Sequence, residues 1–223
     1  SLLPTPYSLL PTPYSLLPNP MSNPRRFVIT GGPGAGKSTL IAALAARGQA
    51  TFPEAGRAIL RLSDAIGGPA HAARNPRDYA EAMLLWDMRS WAEADRLDGP
   101  AFFDRGVPDA IGYLRLIGRP VPAHMERAAR AFRYAEPVFV APPWRDIYAT
   151  DGERRQDWDV AVATHDSVRA VYEELGYRLL DLPLAGVEAR AAFVLTRPAG
   201  NDRRTACLPP ARRTISGLRR REA

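Results

Sequence analysis

The stretch that most constrains the fold is FVITGGPGAGKSTL, residues 27–40 of a 223-residue chain. Residues 31–38 satisfy the spacing Gly-x-x-x-x-Gly-Lys-Ser, with an apolar run before them and an Ala- and Leu-rich run after them. Between a strand and a helix, this spacing lets glycines turn successive backbone N–H groups inward around phosphate oxygens. A chance Gly-rich turn would not need all four fixed positions. We therefore predict a phosphate-binding loop that joins a buried strand to a helix.

The positions of this loop have separate physical roles. Lys37 is the only lysine among 30 basic residues, and its slim ammonium suits the narrow space between β- and γ-phosphates, which a planar guanidinium would not fit. The Ser38 hydroxyl is a candidate ligand for Mg²⁺. The start of the following helix adds unpaired N–H donors and the positive end of a dipole. We predict that nine residues bind ATP: Gly31, Gly32, Pro33, Gly34, Ala35, Gly36, Lys37, Ser38 and Thr39.

The second half of the site is predicted in GPAFFDRGVPD, residues 99–109. Three apolar residues place Asp104 at the carboxyl end of a buried strand, the edge where doubly wound sheets bind ligands. Asp104 is a candidate to hold Mg²⁺, to accept the proton of an acceptor hydroxyl, or to do both. The alternative is an Asp that only begins a turn before Gly106. Arg105 stands where motor ATPases place a water-activating Glu, so we predict that it holds a phosphate or an acceptor.

Two further stretches are assigned to the same site. The irregular, Arg-rich residues 141–158 (APPWRDIYATDGERRQDW) predict a lid whose Arg154 or Arg155 closes on the transition state. The alternative is a solvated face on which neighbouring carboxylates pair with these arginines. Glu54 and Arg57, just after the second predicted strand, are expected at the acceptor, where Glu54 would bind ribose hydroxyls or orient the acceptor. The alternative is a Glu stabilised by the dipole of a helix start.

Short apolar runs alternate with helical stretches from Arg25 to Arg197, which predicts an α/β domain with a parallel sheet. The predicted strands are Arg25–Thr30, Ala50–Phe52, Ala101–Asp104, Pro137–Ala141 and Tyr177–Asp181. The predicted helices cover residues 37–47, the stretch up to 66, 77–97, 108–133 and 158–175.

The two ends of the chain differ from this domain. Residues 1–20 repeat a seven-residue unit with prolines that break helices, so we expect a Pro-rich, disordered leader and a functional protein that begins at Met21. The alternative is a Pro-rich ligand of a partner protein. Residues 198–223 carry seven Arg, one Asp and one Glu. Their net charge of +5 accounts for most of the net charge of +6 of the whole chain. This predicts a disordered basic tail with weak, salt-sensitive affinity for nucleic acid or an anionic surface.

Composition narrows the cellular setting. The single cysteine, Cys207, excludes an internal disulfide and fits a reducing compartment. No apolar run approaches the roughly 20 residues that span a bilayer. We therefore expect a cytoplasmic protein.

The motifs together resemble a known family. FVITGGPGAGKSTL, PEAGR, FFDRGVPD and the predicted lid resemble the bacterial AAA-domain predicted ATPases, which are related to P-loop nucleoside and nucleotide kinases, over residues 25–197. The resemblance implies a P-loop NTPase three-layer sandwich with a five-stranded parallel sheet of nucleoside/nucleotide-kinase type, and it implies ATP and Mg²⁺ at Lys37 and Ser38.

A second likeness concerns the acceptor side. Glu54 and Arg57, with the lid pattern Pro-Trp…Asp-Gly-x-Arg, are similar to the nicotinamide riboside kinase domain of NadR. The lid positions are Pro143, Trp144, Asp151, Gly152 and Arg154. The Asp-Arg-Gly at 104–106 departs from the NadR pattern.

We therefore expect a leader at 1–20, a kinase-like domain at 21–197 and a tail at 198–223. The expected activity is Mg²⁺–ATP-dependent phosphoryl transfer to a small nucleoside-like metabolite. The alternative is an ATP-hydrolysing switch that acts through a protein partner.

Overall fold

The computed structural model of the chain describes residues 25–148 and 157–197. The predicted leader (1–20), the predicted tail (198–223) and the lid arginines Arg154 and Arg155 lie outside the described residues. The boundaries of the predicted domain stay a prediction.

The sheet is built around its first strand, β1 (Arg26–Gly31), which is buried along its whole length. Side chains of a strand point alternately to opposite faces. Accordingly, Val28 packs into the core on one side of the sheet, while Phe27 and Ile29 pack into the core on the other. A strand that is covered on both faces reads as a continuous apolar run, which is why the sequence predicts it so clearly.

Five parallel strands form the sheet, in the order β2-β3-β1-β4-β5. The other four strands are β2 (Ala50–Phe52), β3 (Ala101–Asp104), β4 (Val138–Ala141) and β5 (Leu179–Asp181). Ile29 of β1 pairs with Asp104 of β3, and Gly31 pairs with Ala141 of β4. The phosphate loop and Asp104 therefore leave the sheet at the same edge, and the predicted five-stranded parallel sheet is confirmed.

Helices cover both faces of the sheet. The seven α-helices of the described residues are α1 (Lys37–Ala46), α2 (Ala55–Ala65), α3 (Pro76–Glu93), α4 (Val107–Leu116), α5 (Ala123–Ala131), α6 (Trp158–Glu174) and α7 (Val187–Thr196). Helices α1 and α7 share the core with Phe27 and Ile29, while α2 to α6 share the core with Val28. The predicted three-layer sandwich is confirmed. None of these helices is long and apolar enough to cross a membrane.

Some elements differ from the sequence prediction. The helix expected over 108–133 is two helices, because Gly118 adopts a left-handed φ of 66° and closes α4. Prolines at 120 and 122 then separate α4 from α5. The predicted strand at 177–181 begins at Leu179, since Gly176 ends α6 and the Tyr177 backbone N–H donates to the Tyr172 carbonyl. Helix α7 had no counterpart in the prediction.

Candidate active site

The first two glycines of the loop are required by neighbouring backbones. Gly31 has a φ of 130°, and a Cβ on it would lie 2.3 Å from the carbonyl oxygen of Ala141. A Cβ on Gly32 would lie 2.2 Å from the carbonyl oxygen of Ala161 in α6. Real Cβ atoms do not approach backbone oxygens so closely. Strand β4 and helix α6 therefore hold the start of the loop between them.

The next two glycines lie under the first residues of the predicted lid. Gly34 and Gly36 have φ values of 75° and 77°, a backbone conformation that glycine adopts without strain. A Cβ on Gly34 would lie 2.5 Å from the ring of Tyr148, and a Cβ on Gly36 would lie 3.2 Å from Cδ1 of Ile147. The described start of the predicted lid thus packs directly on the phosphate loop.

Lys37 opens α1 and points into this loop. Its side chain is 5% exposed, and its Nζ donates to the Gly32 carbonyl at 2.6 Å. Burial and, to a smaller extent, the Arg105 guanidinium lower the pKa of Lys37 to about 8, although Asp104 and Glu54 oppose the shift. The loop therefore holds an ammonium whose charge is only partly balanced by the protein.

The lowered pKa of Lys37 predicts a pH-dependent affinity for ATP. Bound phosphates would raise this pKa, so binding between about pH 8 and the ordinary lysine pKa of 10.5 takes up a proton. We expect affinity to fall by up to about tenfold per pH unit above pH 8. Calorimetric titration at pH 8.5 in two buffers of different ionisation enthalpy would measure the proton uptake, and Lys37→Met should abolish it. An affinity that is constant from pH 7.5 to 9.5 would contradict the prediction.

Ser38 and Asp104 form a pair that fits Mg²⁺. The Ser38 hydroxyl donates to Oδ2 of Asp104 at 3.0 Å, and the other carboxylate oxygen, Oδ1, is buried without a hydrogen-bond partner. Burial raises the pKa of Asp104, and the Lys37 ammonium counteracts part of this shift. An unsatisfied carboxylate oxygen beside a hydroxyl is a donor set that a hard cation prefers. The donor set of these two residues therefore fits a hard cation such as Mg²⁺.

No cluster of three or more His, Cys, Asp or Glu within the described residues could hold a metal by itself.

Replacing Asp104 by asparagine should therefore change the metal requirement. Asparagine keeps the shape and an oxygen but loses the charge, so we expect the Mg²⁺ concentration for half-maximal ATP turnover to rise roughly 10- to 100-fold. A Mg²⁺ titration of the initial rate measures this. The exposed Asp98→Asn serves as the control, and equal Mg²⁺ curves for the two variants would remove Asp104 from the metal site.

Arg105 has the only positive φ, 74°, among the non-glycine residues that the structure describes. Backbone strain of this kind persists only where the surroundings hold it. Its Nε donates to Oε1 of Glu54 at 3.0 Å, and its Nη1 donates to Oδ1 of Asp109 at 3.1 Å. Burial works against the charge, but Glu54, Asp109 and Asp104 outweigh it and raise the pKa of Arg105. Arg105 is therefore a permanent cation, fixed between two carboxylates.

Asp109, which the sequence did not predict at the site, fixes this arrangement. Its carboxylate also accepts from the Thr30 hydroxyl at 2.6 Å, the Gly106 backbone N–H at 3.0 Å and the Tyr172 hydroxyl at 2.8 Å. It thereby ties Arg105 to β1, to the start of α4 and to α6. The available signal was local: an Asp three residues after Gly106 in the first turn of a helix can bond back to the backbone N–H before that helix.

The two residues predicted at the acceptor follow β2. Glu54 stands just before α2, and its carboxylate pairs with Arg105 rather than with the N–H groups of the helix. Burial opposes its ionisation, yet Arg105, Lys37 and Arg57 together lower the pKa of Glu54. Glu54 and Arg57 both line the cavity described next. The structure thus brings Glu54 to Arg105, a contact that the sequence did not predict.

One cavity of about 790 Å³ joins the phosphate loop to this acceptor side. Its lining includes Lys37 and Ser38 of the phosphate site together with Glu54, Arg105 and Tyr79. Asp104 is 2% exposed and lies behind Ser38. Of the residues predicted to meet at the site, all except Arg154 and Arg155 are therefore brought together within the described part of the chain.

Arg190 of α7 supports the loop from behind and was not predicted. Its Nη1 donates to the Ala35 carbonyl at 2.7 Å, and its Nε donates to the Pro183 carbonyl at 2.8 Å. Its guanidinium carbon lies 4.8 Å from the centre of the Trp144 ring. Burial lowers the pKa of Arg190. This one side chain connects the phosphate loop, the end of the sheet and the start of the predicted lid.

Comparisons with solved structures give the same fold. The chain is similar to deoxyadenosine kinase from M. mycoides with bound dATP at 12% identity, covering 77% of this chain and 97% of that chain, with a TM-score of 0.52. Thymidylate kinase from Ehrlichia chaffeensis is also 12% identical over 77% and 97%, with a TM-score of 0.51. The NadR protein in complex with NR is 19% identical over 77% of this chain and 50% of that chain, with a TM-score of 0.55.

At such identities the similarity shows the fold alone. No curated protein sequence matches the chain. A family model described as an AAA domain matches residues 26–190, which include every element from β1 through β5 and the start of α7. Because this match covers more than half of the chain, the protein belongs to the AAA domain family.

Proposed function

We propose that this protein transfers the γ-phosphoryl group of Mg²⁺–ATP to a hydroxyl of a small nucleoside-like metabolite. The observation that carries the proposal is that Lys37 and Ser38 share one cavity of about 790 Å³ with Glu54, Arg105 and Tyr79. A protein that only hydrolyses ATP does not need space of this size for a second substrate beside its phosphate site. The shared fold with solved nucleoside and nucleotide kinases supports the same conclusion.

The donor half of the site would bind the phosphates. Backbone N–H groups of residues 31–39 and the Lys37 ammonium hold the β- and γ-phosphates in this proposal, while Ser38 and Asp104 hold Mg²⁺. The metal, when bound, neutralises charge on the phosphate oxygens. The contact of Lys37 with Gly32 keeps its ammonium inside the loop, so little reorganisation is needed when ATP binds.

The acceptor half would orient the hydroxyl and take its proton. Glu54 borders the cavity, whereas Asp104 lies behind Ser38, so we assign the proton to Glu54 and the metal to Asp104. The acceptor oxygen forms a bond to the γ-phosphorus, the bond to the β–γ bridging oxygen breaks, and ADP leaves with that electron pair. The acceptor proton passes to Glu54 late in the step. The pKa of Glu54 is low, so this carboxylate is a weak base and takes the proton only after the acceptor oxygen has begun to bond to phosphorus and become more acidic.

Arg105 and the predicted lid complete the proposal. Glu54 and Asp109 fix the position of Arg105, which would balance negative charge on the transferred group or on the acceptor. We propose that Arg154 or Arg155 closes over the γ-phosphate from the lid, as the sequence predicts. Asp104 is followed by this arginine, where motor ATPases place a water-activating Glu, so this position favours phosphoryl transfer over the switch alternative.

Release of ADP with and without acceptors tests the proposal. The full chain with Mg²⁺–ATP would be assayed alone and with a pool of nucleosides and nucleotides. We expect the pool to increase ADP release at least tenfold, because transfer to an enclosed acceptor requires that acceptor to be present. ADP release that is the same with and without the pool would favour the ATP-hydrolysing switch instead.

A further inference from the structure

Asp87 is a buried acid that the proposed reaction does not use. It lies on α3 and lines the acceptor arm of the cavity, yet it is only 8% exposed. No hydrogen bond or ion pair within the described part of the chain satisfies its carboxyl group. Its carboxyl oxygens are not among the fully buried atoms without a partner, so they face the cavity, where a ligand can satisfy them.

The position of Asp87 relative to Glu54 suggests what it contacts. Tyr79, Met83 and Asp87 follow one another at four-residue spacing on the face of α3 that lines the cavity. Tyr79 lies beside Glu54, since a Cβ on Gly56 would be 2.5 Å from the Tyr79 hydroxyl and 3.5 Å from Oε1 of Glu54. Eight residues of helix separate Tyr79 from Asp87 by roughly 12 Å. This matches the length of a nucleoside that is hydrogen-bonded at both ends.

The charges around Asp87 favour its neutral form. Burial is the main reason that the pKa of Asp87 is raised, and the Asp109, Glu54 and Asp104 carboxylates raise it further. Arg105 opposes the shift, but its guanidinium donates to Glu54 and Asp109. A protonated carboxyl presents one O–H donor beside one carbonyl acceptor, on the same planar edge.

The lining of the cavity includes apolar and aromatic side chains, namely Leu60, Met83, Tyr113, Ile117 and Val168. Such side chains can hold a flat ring, and Asp87 adds a polar group that can distinguish one ring from another.

We propose that Asp87 is a specificity-determining residue that binds the heterocycle of the acceptor through an edge with an N–H donor beside a ring acceptor atom. The inference rests on the proposed function only in assigning this arm to the acceptor. It names the substrate class as nucleosides whose base carries such an edge.

Matched ligand pairs test the role of Asp87 by binding alone. Adenosine would be compared with purine riboside, and cytidine with pyrimidin-2-one riboside, because each second ligand lacks only the exocyclic amino group. Affinities would be measured by calorimetry on the full chain with Mg²⁺–ADP, which does not allow transfer. For wild type, we expect at least one pair to differ roughly 10- to 100-fold in affinity.

The variants separate hydrogen bonding from charge. Asp87→Leu should reduce the difference within that pair to less than about threefold, since leucine fills the space without a polar atom. Asp87→Asn should retain the difference, because an amide also offers a donor beside an acceptor. Glu81→Gln, on the same helix but paired with His124 outside the cavity, is the matched control. Affinity for Mg²⁺–ADP shows that each variant is folded.

Each outcome decides the inference. If Asp87→Asn and Asp87→Leu lose the affinity difference within the pair equally, an ionised carboxylate binds a cationic group, and the inference is overturned. Wild type that discriminates within neither pair, or that binds no nucleoside, overturns it as well. Asp87-dependent binding without phosphoryl transfer would refute the proposed function and leave the inference standing. Phosphoryl transfer with the same selectivity between the paired nucleosides in wild type and Asp87→Leu would support the proposed function and refute the inference.

Discussion

Replacing Lys37 by methionine should lower phosphoryl transfer roughly 10³-fold, because it removes the cation that the loop holds for the β- and γ-phosphates. The same change should raise the melting temperature of the nucleotide-free protein by a few degrees at pH 7. The two effects have one cause, since the Lys37 ammonium is buried where the protein only partly balances its charge.

The sign of the stability effect follows from the lowered pKa of Lys37. The folded chain binds fewer protons than the unfolded chain between about pH 8 and the ordinary value of 10.5, so stability rises with pH in that window. Below pH 8 the buried charge costs stability in full. The difference in melting temperature between wild type and Lys37→Met should therefore shrink as the pH increases above 8.

Arginine at this position gives the sharpest comparison. Lys37→Arg keeps the charge but places a wide, planar guanidinium in a loop where a Cβ on Gly36 already meets other side chains at 3.2 Å. We expect no recovery of transfer. Substantial transfer by either variant, measured by initial rates with saturating Mg²⁺–ATP, would remove Lys37 from the phosphate site.

The second large effect is expected at Glu54. Glu54→Gln should lower kcat roughly 10²- to 10³-fold, because glutamine can still hydrogen-bond to Arg105 but cannot accept the acceptor proton. The affinity for Mg²⁺–ATP should change less than about threefold, since Lys37 and the loop are retained. In wild type the low pKa of Glu54 should keep kcat constant on acidification down to the ordinary value of 4.5.

Steady-state kinetics with varied acceptor and varied pH would measure these effects. Glu93→Gln is the matched control, because Glu93 pairs with Arg89 on the exposed side of α3 as Glu54 pairs with Arg105 in the cavity. A Glu54→Gln variant with unchanged kcat and a raised KM for the acceptor would assign Glu54 to binding alone and return the proton to Asp104.

The predictable part of this protein is the part encoded by residues close together in the chain. Eight consecutive positions predict the phosphate loop. The apolar run before Asp104 predicts a buried strand and places Asp104 at its end. The parallel sheet follows from the alternation of such runs with helices. The structure confirms the five strands with differences of at most two residues at their ends, whereas the helix predicted over 77–97 ends at Glu93.

The rest depends on contacts between distant segments. The position of Asp87 and the contacts of Asp109 with Arg105 and Tyr172 depend on the packing of α3, α4 and α6, which no local pattern predicts. Only the bond of Asp109 to the Gly106 backbone N–H had a local signal. The split between α4 and α5 was missed for a different reason. Helical periodicity continues on both sides of Gly118, so a single long helix matched the pattern, although the glycine and the prolines after it mark the break.

The most direct test of the account is to follow the phosphoryl group itself. The full chain would be incubated with Mg²⁺ and ATP that carries a heavy oxygen isotope in its γ-phosphoryl group, together with the pool of nucleosides and nucleotides. Mass spectrometry would then search every acceptor for the labelled group, with Lys37→Met as the blank. The account predicts a labelled phosphate ester on a nucleoside-like acceptor. Label found only in inorganic phosphate would contradict it and identify the protein as an ATP hydrolase.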